Sequence, residues 1–208
     1  MSVAVFFFGG YKASQSDIDR WLRSARLQKP QVIFRGFPWP SGASYIGASA
    51  IKTLRGDGRL AAMVQAIEQF EKDQNSKTDK LETIFLVGHS SGGAIANAVD
   101  VDLNVDADVA LVVLDGSMPS GSQLARNDTQ VWGATCAGQQ SRNFPGNAKG
   151  RGRVFQATNC KKEWPLHFSV VNTNASDANA GLVAGDLSQG YVNCQANLMF
   201  LNRFMELH

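Results

Sequence analysis

Histidine and cysteine, which supply many metal ligands and catalytic nucleophiles, are scarce in this chain: its 208 residues include three of each. Cys136, Cys160 and Cys194 show no Cys-x-x-Cys spacing, which excludes the common zinc and dithiol motifs. An odd count fits a reducing compartment better than a disulfide framework. One bridge, between Cys136 and Cys160, would still leave a free thiol. Strong charge bias is also missing: 20 basic and 18 acidic residues leave a formal charge of +2. A basic nucleic-acid-binding stripe and an acidic disordered tail are both excluded by that balance.

Long apolar runs are absent as well. The N-terminal stretch Val3 to Gly9 is seven residues, has no basic segment before it and ends in a turn. It is too short to span a bilayer and reads as a first strand rather than a signal peptide, so no stable membrane insertion and a cytoplasmic location are expected. A secreted form already stripped of its leader would begin in the same way. The chain has no internal repeat and no heptad run.

What is present is an alternation of short apolar runs with helical patterns. Val3–Phe8, Val32–Phe37, Thr83–Val87, Val109–Leu114 and Val154–Ala157 are mostly apolar on both alternating faces, as strands buried between two helical layers must be. Ser14–Gln28 opens with the capping pattern Ser14-x-x-Asp17 and sets Ile18, Trp21, Leu22 and Ala25 on one face. Gly58–Lys72 repeats the period with Leu60, Met63, Val64, Ile67 and Phe70; Gly92–Val99 is a short helix of small residues; Gln195–Leu207 closes the chain. Right-handed crossovers turn this order into a three-layer α/β sandwich with a mostly parallel central sheet of about five to six strands. At this length one domain, 1–208, is expected. Phe37–Gly47 reads as a loop, and the polar, glycine-rich stretch 116–152 as a long loop insertion.

Within this frame Gly88-His89-Ser90-Ser91-Gly92 stands between a buried strand and a small-residue helix. In that context G-x-S-x-G is a nucleophile elbow, which lifts a serine hydroxyl above the sheet at a helix N-terminus. A phosphate-cradling loop would need G-x-G-x-x-G or a following lysine, and neither is present.

A serine hydroxyl needs a base. His89 is fixed beside the serine and His208 is terminal, which leaves His167. An acceptor must orient that base. Asp115, ending the run Ala107–Leu114, lies on the same side of a parallel sheet as the elbow; Asp128 is the reserve. For the oxyanion, the amide of Ser91 supplies one donor, and the amide of Gly10 or Tyr11, in the loop Phe8-Gly9-Gly10-Tyr11, supplies the other.

With the elbow, the Phe8-Gly9-Gly10 loop and the order Ser90, Asp115, His167 assembled, the chain resembles the α/β-hydrolase superfamily, serine esterases and lipases above all. It departs from the usual layout in having two strands before the nucleophile strand rather than an added N-terminal hairpin, which implies a minimal, cutinase-sized core. The acid also comes one strand earlier than is common in the family; the later position holds Asn159.

The expected activity is hydrolysis of a carboxylic ester or thioester through an acyl-enzyme on Ser90. The expected partner is a small-molecule ester or thioester, with no metal, organic cofactor or nucleic acid. Trp39, Trp132 and Trp164, together with Tyr45, lie in or near loops expected to rim the site and to contact an apolar acyl or aromatic group. A thioesterase or acyltransferase using the same triad is the neighbouring reading. A non-catalytic binding module that kept the fold is the reading from another class.

Overall fold

A computed structural model describes residues 2–77, 80–116, 130–136, 152–157 and 195–205. Among the described residues six strands form the sheet: β1 (Ser2–Phe8), β2 (Ile33–Phe37), β3 (Leu81–His89), β4 (Asp108–Leu114), β5 (Gln130–Cys136) and β6 (Gly152–Ala157). Their order is β2-β1-β3-β4-β5-β6, and every neighbouring pair is parallel. The helices are α1 (Gln15–Gln28), α2 (Gly47–Gly56), α3 (Arg59–Asn75), α4 (Gly92–Asp102) and α5 (Met199–Met205).

The phenylalanines of β1 show how the layers arise, because successive strand residues face opposite ways. Phe7 stacks on Trp21 of α1, with centroids 4.1 Å apart and planes 5° apart. Phe6 meets Phe70 of α3 edge-on at 5.5 Å, on the other face. Phe85 pairs in register with Val5, on the Phe7 side, and packs against Phe200 of α5. The layers are therefore α1 and α5 on one face and α3, with α2 and α4 packed beside it, on the other.

Local chemistry places the helix ends. Ser14 caps α1 through a reciprocal box with Asp17, and Trp21 and Ala25 beneath it are fully buried. On the opposite face, buried Glu71 of α3 accepts the backbone amides of Asp106 at 3.2 Å and Ala107 at 2.7 Å. Those bonds anchor the chain as it enters β4.

Three elements differ from the sequence expectation. The stretch 116–152 is not one irregular loop, since it contains β5, a seven-residue strand paired with β4 and β6. The α2 helix follows directly on the Phe37–Gly47 loop; only Ala50 and Leu54 are buried on it, too short a stripe to register as a period. The last helix begins at Met199 rather than Gln195. Among the described residues no helix is long and apolar enough to cross a membrane.

Candidate active site

The chain runs from β1 out to the edge strand β2, then returns over β1 to β3 and continues the other way. Connections leave β1 and β3 toward opposite faces, which makes the C-terminal ends of these two strands the switch point of the sheet. Open parallel sheets bind ligands at such a switch point. The elbow follows β3 and the Gly9-Gly10 loop follows β1, so both lie there.

Backbone sterics bring them into contact. A Cβ on Gly92 would come 2.4 Å from the Phe8 carbonyl oxygen and 2.6 Å from that of Gly9. A Cβ on Gly88 would come 2.4 Å from the Gly93 Cα. The first and last glycines of the elbow motif therefore stand where helix α4, strand β3 and the loop after β1 meet with no room for a side chain. Similarly, a Cβ on Gly10 would lie 3.0 Å from the Ser90 Cβ, which places the Gly10 backbone against the serine.

Ser90 has φ +54°, in the left-handed region. Its amide donates to the Leu114 carbonyl at 2.9 Å, and its carbonyl accepts from Gly93 at 3.0 Å as α4 starts. Lys12 (φ +63°) and Asp115 (φ +43°) are the other non-glycine residues with positive φ among those described. Such a conformation costs an L-residue about 1–2 kcal/mol. All three lie just beyond the C-terminal ends of the adjacent strands β1, β3 and β4. Backbone strain of this kind gathers at functional sites.

Asp115 is half-buried beside the elbow, and a Cβ on the following Gly116 would come 2.9 Å from the Ser90 carbonyl oxygen. The Asp115-Gly116 turn and the serine turn are thus adjacent. The amides of Gly10, Tyr11 and Ser91 donate to no backbone carbonyl of another described residue. His89 is 1% exposed, with Nδ1 lying 3.2 Å from the Gly10 Cβ position, so its imidazole is packed beneath the glycine loop.

The structure thus gathers Ser90, Ser91, Gly10, Tyr11 and Asp115 at one edge of the sheet. His167, Trp164 and the reserve acid Asp128 lie outside the described residues. Trp132, expected in a loop, is the third residue of β5 and pairs with Val112 inside the sheet; the turn-forming residues around the strand mask it in the sequence. Trp39 is 9% exposed and donates its indole N–H to the Ala43 carbonyl at 3.3 Å, so it supports the loop from below. Sequence reasoning assigned no part to the Ser91 hydroxyl, which donates to the Tyr45 carbonyl at 2.9 Å. Nothing local in the sequence signals a bond across 46 positions.

Fold and site together define a parallel α/β sandwich with a serine elbow at its switch point. No protein-family model and no curated protein sequence matches the chain. Several solved structures resemble it. Esterase PE8 is 13% identical, with a TM-score of 0.47 over 75% of this chain and 82% of its own. An α/β-superfamily hydrolase from Xanthomonas campestris pv. campestris gives 12%, 0.43, 74% and 86% for the same quantities. An acetylxylan esterase gives 18%, 0.42, 76% and 83%.

Proposed function

We propose that the protein is a serine hydrolase of the α/β-hydrolase type that cleaves a carboxylic ester or thioester through an acyl-enzyme on Ser90. The observation that carries this reading is Ser90 itself: a non-glycine residue at φ +54° between β3 and α4, with the Gly10 backbone against its Cβ. A left-handed serine wedged between two glycines is a costly way to make a turn, and becomes intelligible if the hydroxyl must project above the sheet.

In the proposed reaction His167 takes the Ser90 proton as the hydroxyl oxygen attacks the carbonyl carbon. Charge then develops on the carbonyl oxygen, where the amides of Ser91 and of Gly10 or Tyr11 stabilise it. The C–O or C–S bond to the leaving group breaks, and the histidine returns the proton to that group. Water, deprotonated by the same histidine, attacks the acyl carbon and releases the acid and free serine. Asp115 accepts a hydrogen bond from the imidazole and holds its orientation. The odd cysteine count supports a reducing, cytoplasmic setting.

An activity-based fluorophosphonate tests the reading. The folded wild-type protein should be labelled, and Ser90→Ala should not. Absence of labelling on folded wild type rules out the serine hydrolase.

A further inference from the structure

The Ser91 hydroxyl and the aromatic residues around it are not used by the mechanism above. Ser91 is buried, and its bond to the Tyr45 carbonyl ties the residue after the nucleophile to the loop that follows β2. The same loop is held at two further points: the Trp39 amide donates to the Ala13 carbonyl at 2.8 Å, and Arg59 Nη1 donates to the Ser41 carbonyl at 2.6 Å. Arg59 is itself braced by Asp57, whose carboxyl its hydrogen bonds hold below the usual carboxylate range. The backbone under Tyr45 is therefore fixed.

The side chains above it are left open. Tyr45 is 62% exposed and Ile46 51% exposed. Tyr11, which follows Gly10 in the chain, stands between two rings, edge-on to Trp39 at 5.7 Å and to Tyr45 at 5.8 Å. Scattered exposed aromatics are ordinary on protein surfaces. These differ in forming a continuous row, anchored in the core by Trp39 and passing along the oxyanion loop to an open ring tethered to the elbow.

We propose that Tyr11 and Tyr45 form an aromatic shelf that selects esters carrying an aromatic ring next to the ester group, with Ser91 Oγ as the positioning group that sets the shelf's distance from the nucleophile. The inference rests on Ser90 being that nucleophile. A ring lying on the shelf meets the face or edge of Tyr45, an arrangement that favours an aromatic ring over a saturated one of similar bulk.

The test compares kcat/KM for two matched pairs, benzyl acetate with cyclohexylmethyl acetate and ethyl phenylacetate with ethyl cyclohexylacetate. Each ratio is divided by the ratio of the two esters' alkaline hydrolysis rates, which removes the greater intrinsic reactivity of the aromatic member, so the corrected aromatic-to-saturated ratio reads the shelf. By that ratio wild type should prefer the aromatic member of at least one pair roughly three- to tenfold. Tyr45→Ala should erase that preference, chiefly through KM, and Tyr45→Phe should retain it. Ser91→Ala should lower the ratio and Ser91→Thr, which keeps the hydroxyl, should restore it. A corrected wild-type ratio near one in both pairs, or equal losses on both members in Tyr45→Ala, overturns the shelf while fluorophosphonate labelling leaves the hydrolase standing. Wild type that neither turns over any of the four esters nor labels overturns both.

Discussion

If Ser90 is held in a left-handed conformation for the sake of its hydroxyl, removing the strain should stabilise the protein as it destroys the site. At φ +54° an L-residue bears about 1–2 kcal/mol that glycine escapes. Glycine in turn has more unfolded-chain freedom to lose, about 0.5–1 kcal/mol relative to alanine. Ser90→Gly is therefore expected to be about 0–1.5 kcal/mol more stable than Ser90→Ala, because both delete the hydroxyl and only one keeps the Cβ. The neighbouring Ser91 is the control. It has φ −61° and ψ −21°, an ordinary helical conformation. There the order should reverse, Ser91→Gly falling about 0.5–1 kcal/mol below Ser91→Ala, with the bond to Tyr45 lost equally in both. Urea midpoints at unchanged m would measure the four variants. In thermal melts each kcal/mol corresponds to about 2–4 °C for a chain of this size. The same sign at both positions, or a Ser90→Ala more stable than Ser90→Gly, would refute the strain argument.

Three further perturbations separate the site from its scaffold. Gly10→Ala would set a Cβ 3.0 Å from that of Ser90 and 3.2 Å from the His89 carbonyl oxygen; displacing this loop should lower kcat on a chromogenic ester roughly 10²–10³-fold, the scale of a lost oxyanion donor. Its circular-dichroism melt should move far less than its rate. Asp115→Asn keeps a side chain that tolerates φ +43°, so the melt should be nearly unchanged while turnover falls by roughly 10²–10⁴; a larger loss in Asp128→Asn would move the acid to that residue. Glu71→Gln replaces a buried charged acceptor of two amides by one carbonyl oxygen. It should cost about 1–3 kcal/mol in urea denaturation, with fluorophosphonate labelling of the remaining folded protein unaffected.

The elements legible in the sequence were those whose signal is carried by their own residues. β1, β3 and β4 are buried on both faces, so nearly every position is apolar and the run announces itself. The start of α1 was legible because Ser14 and Asp17 carry the cap in their side chains. By contrast β5 contains Gly133 and Ala134 and is flanked by polar turn formers, so its strand character depends on the ladders of β4 and β6. The α2 helix begins and ends on glycine, has no side-chain cap and buries two residues. Within the site the same division holds. Ser90 and Gly92 were legible because the motif is local, whereas the Ser91–Tyr45 bond joins segments that only the sheet order brings together.

The placement of strain supplies the last link between fold and chemistry. A parallel sheet ends each strand at a different depth, and any chain leaving β1, β3 or β4 could turn away through a glycine. Glycine is in fact present near each exit, as Gly9, Gly10, Gly88, Gly92 and Gly116, where neighbouring side chains or backbone crowd the Cβ position. Yet the left-handed positions among these turns fall on Lys12, Ser90 and Asp115, residues with polar side chains. If turning the chain were the sole requirement, glycine at those three positions would be the stabler choice. Two of the three bear the oxygen atoms that a nucleophile and its orienting acid require, at the ends of neighbouring strands. Strain at this edge of the sheet therefore coincides with the side chains on which the proposed chemistry depends, and the stability order at Ser90 against Ser91 measures whether it is stored there.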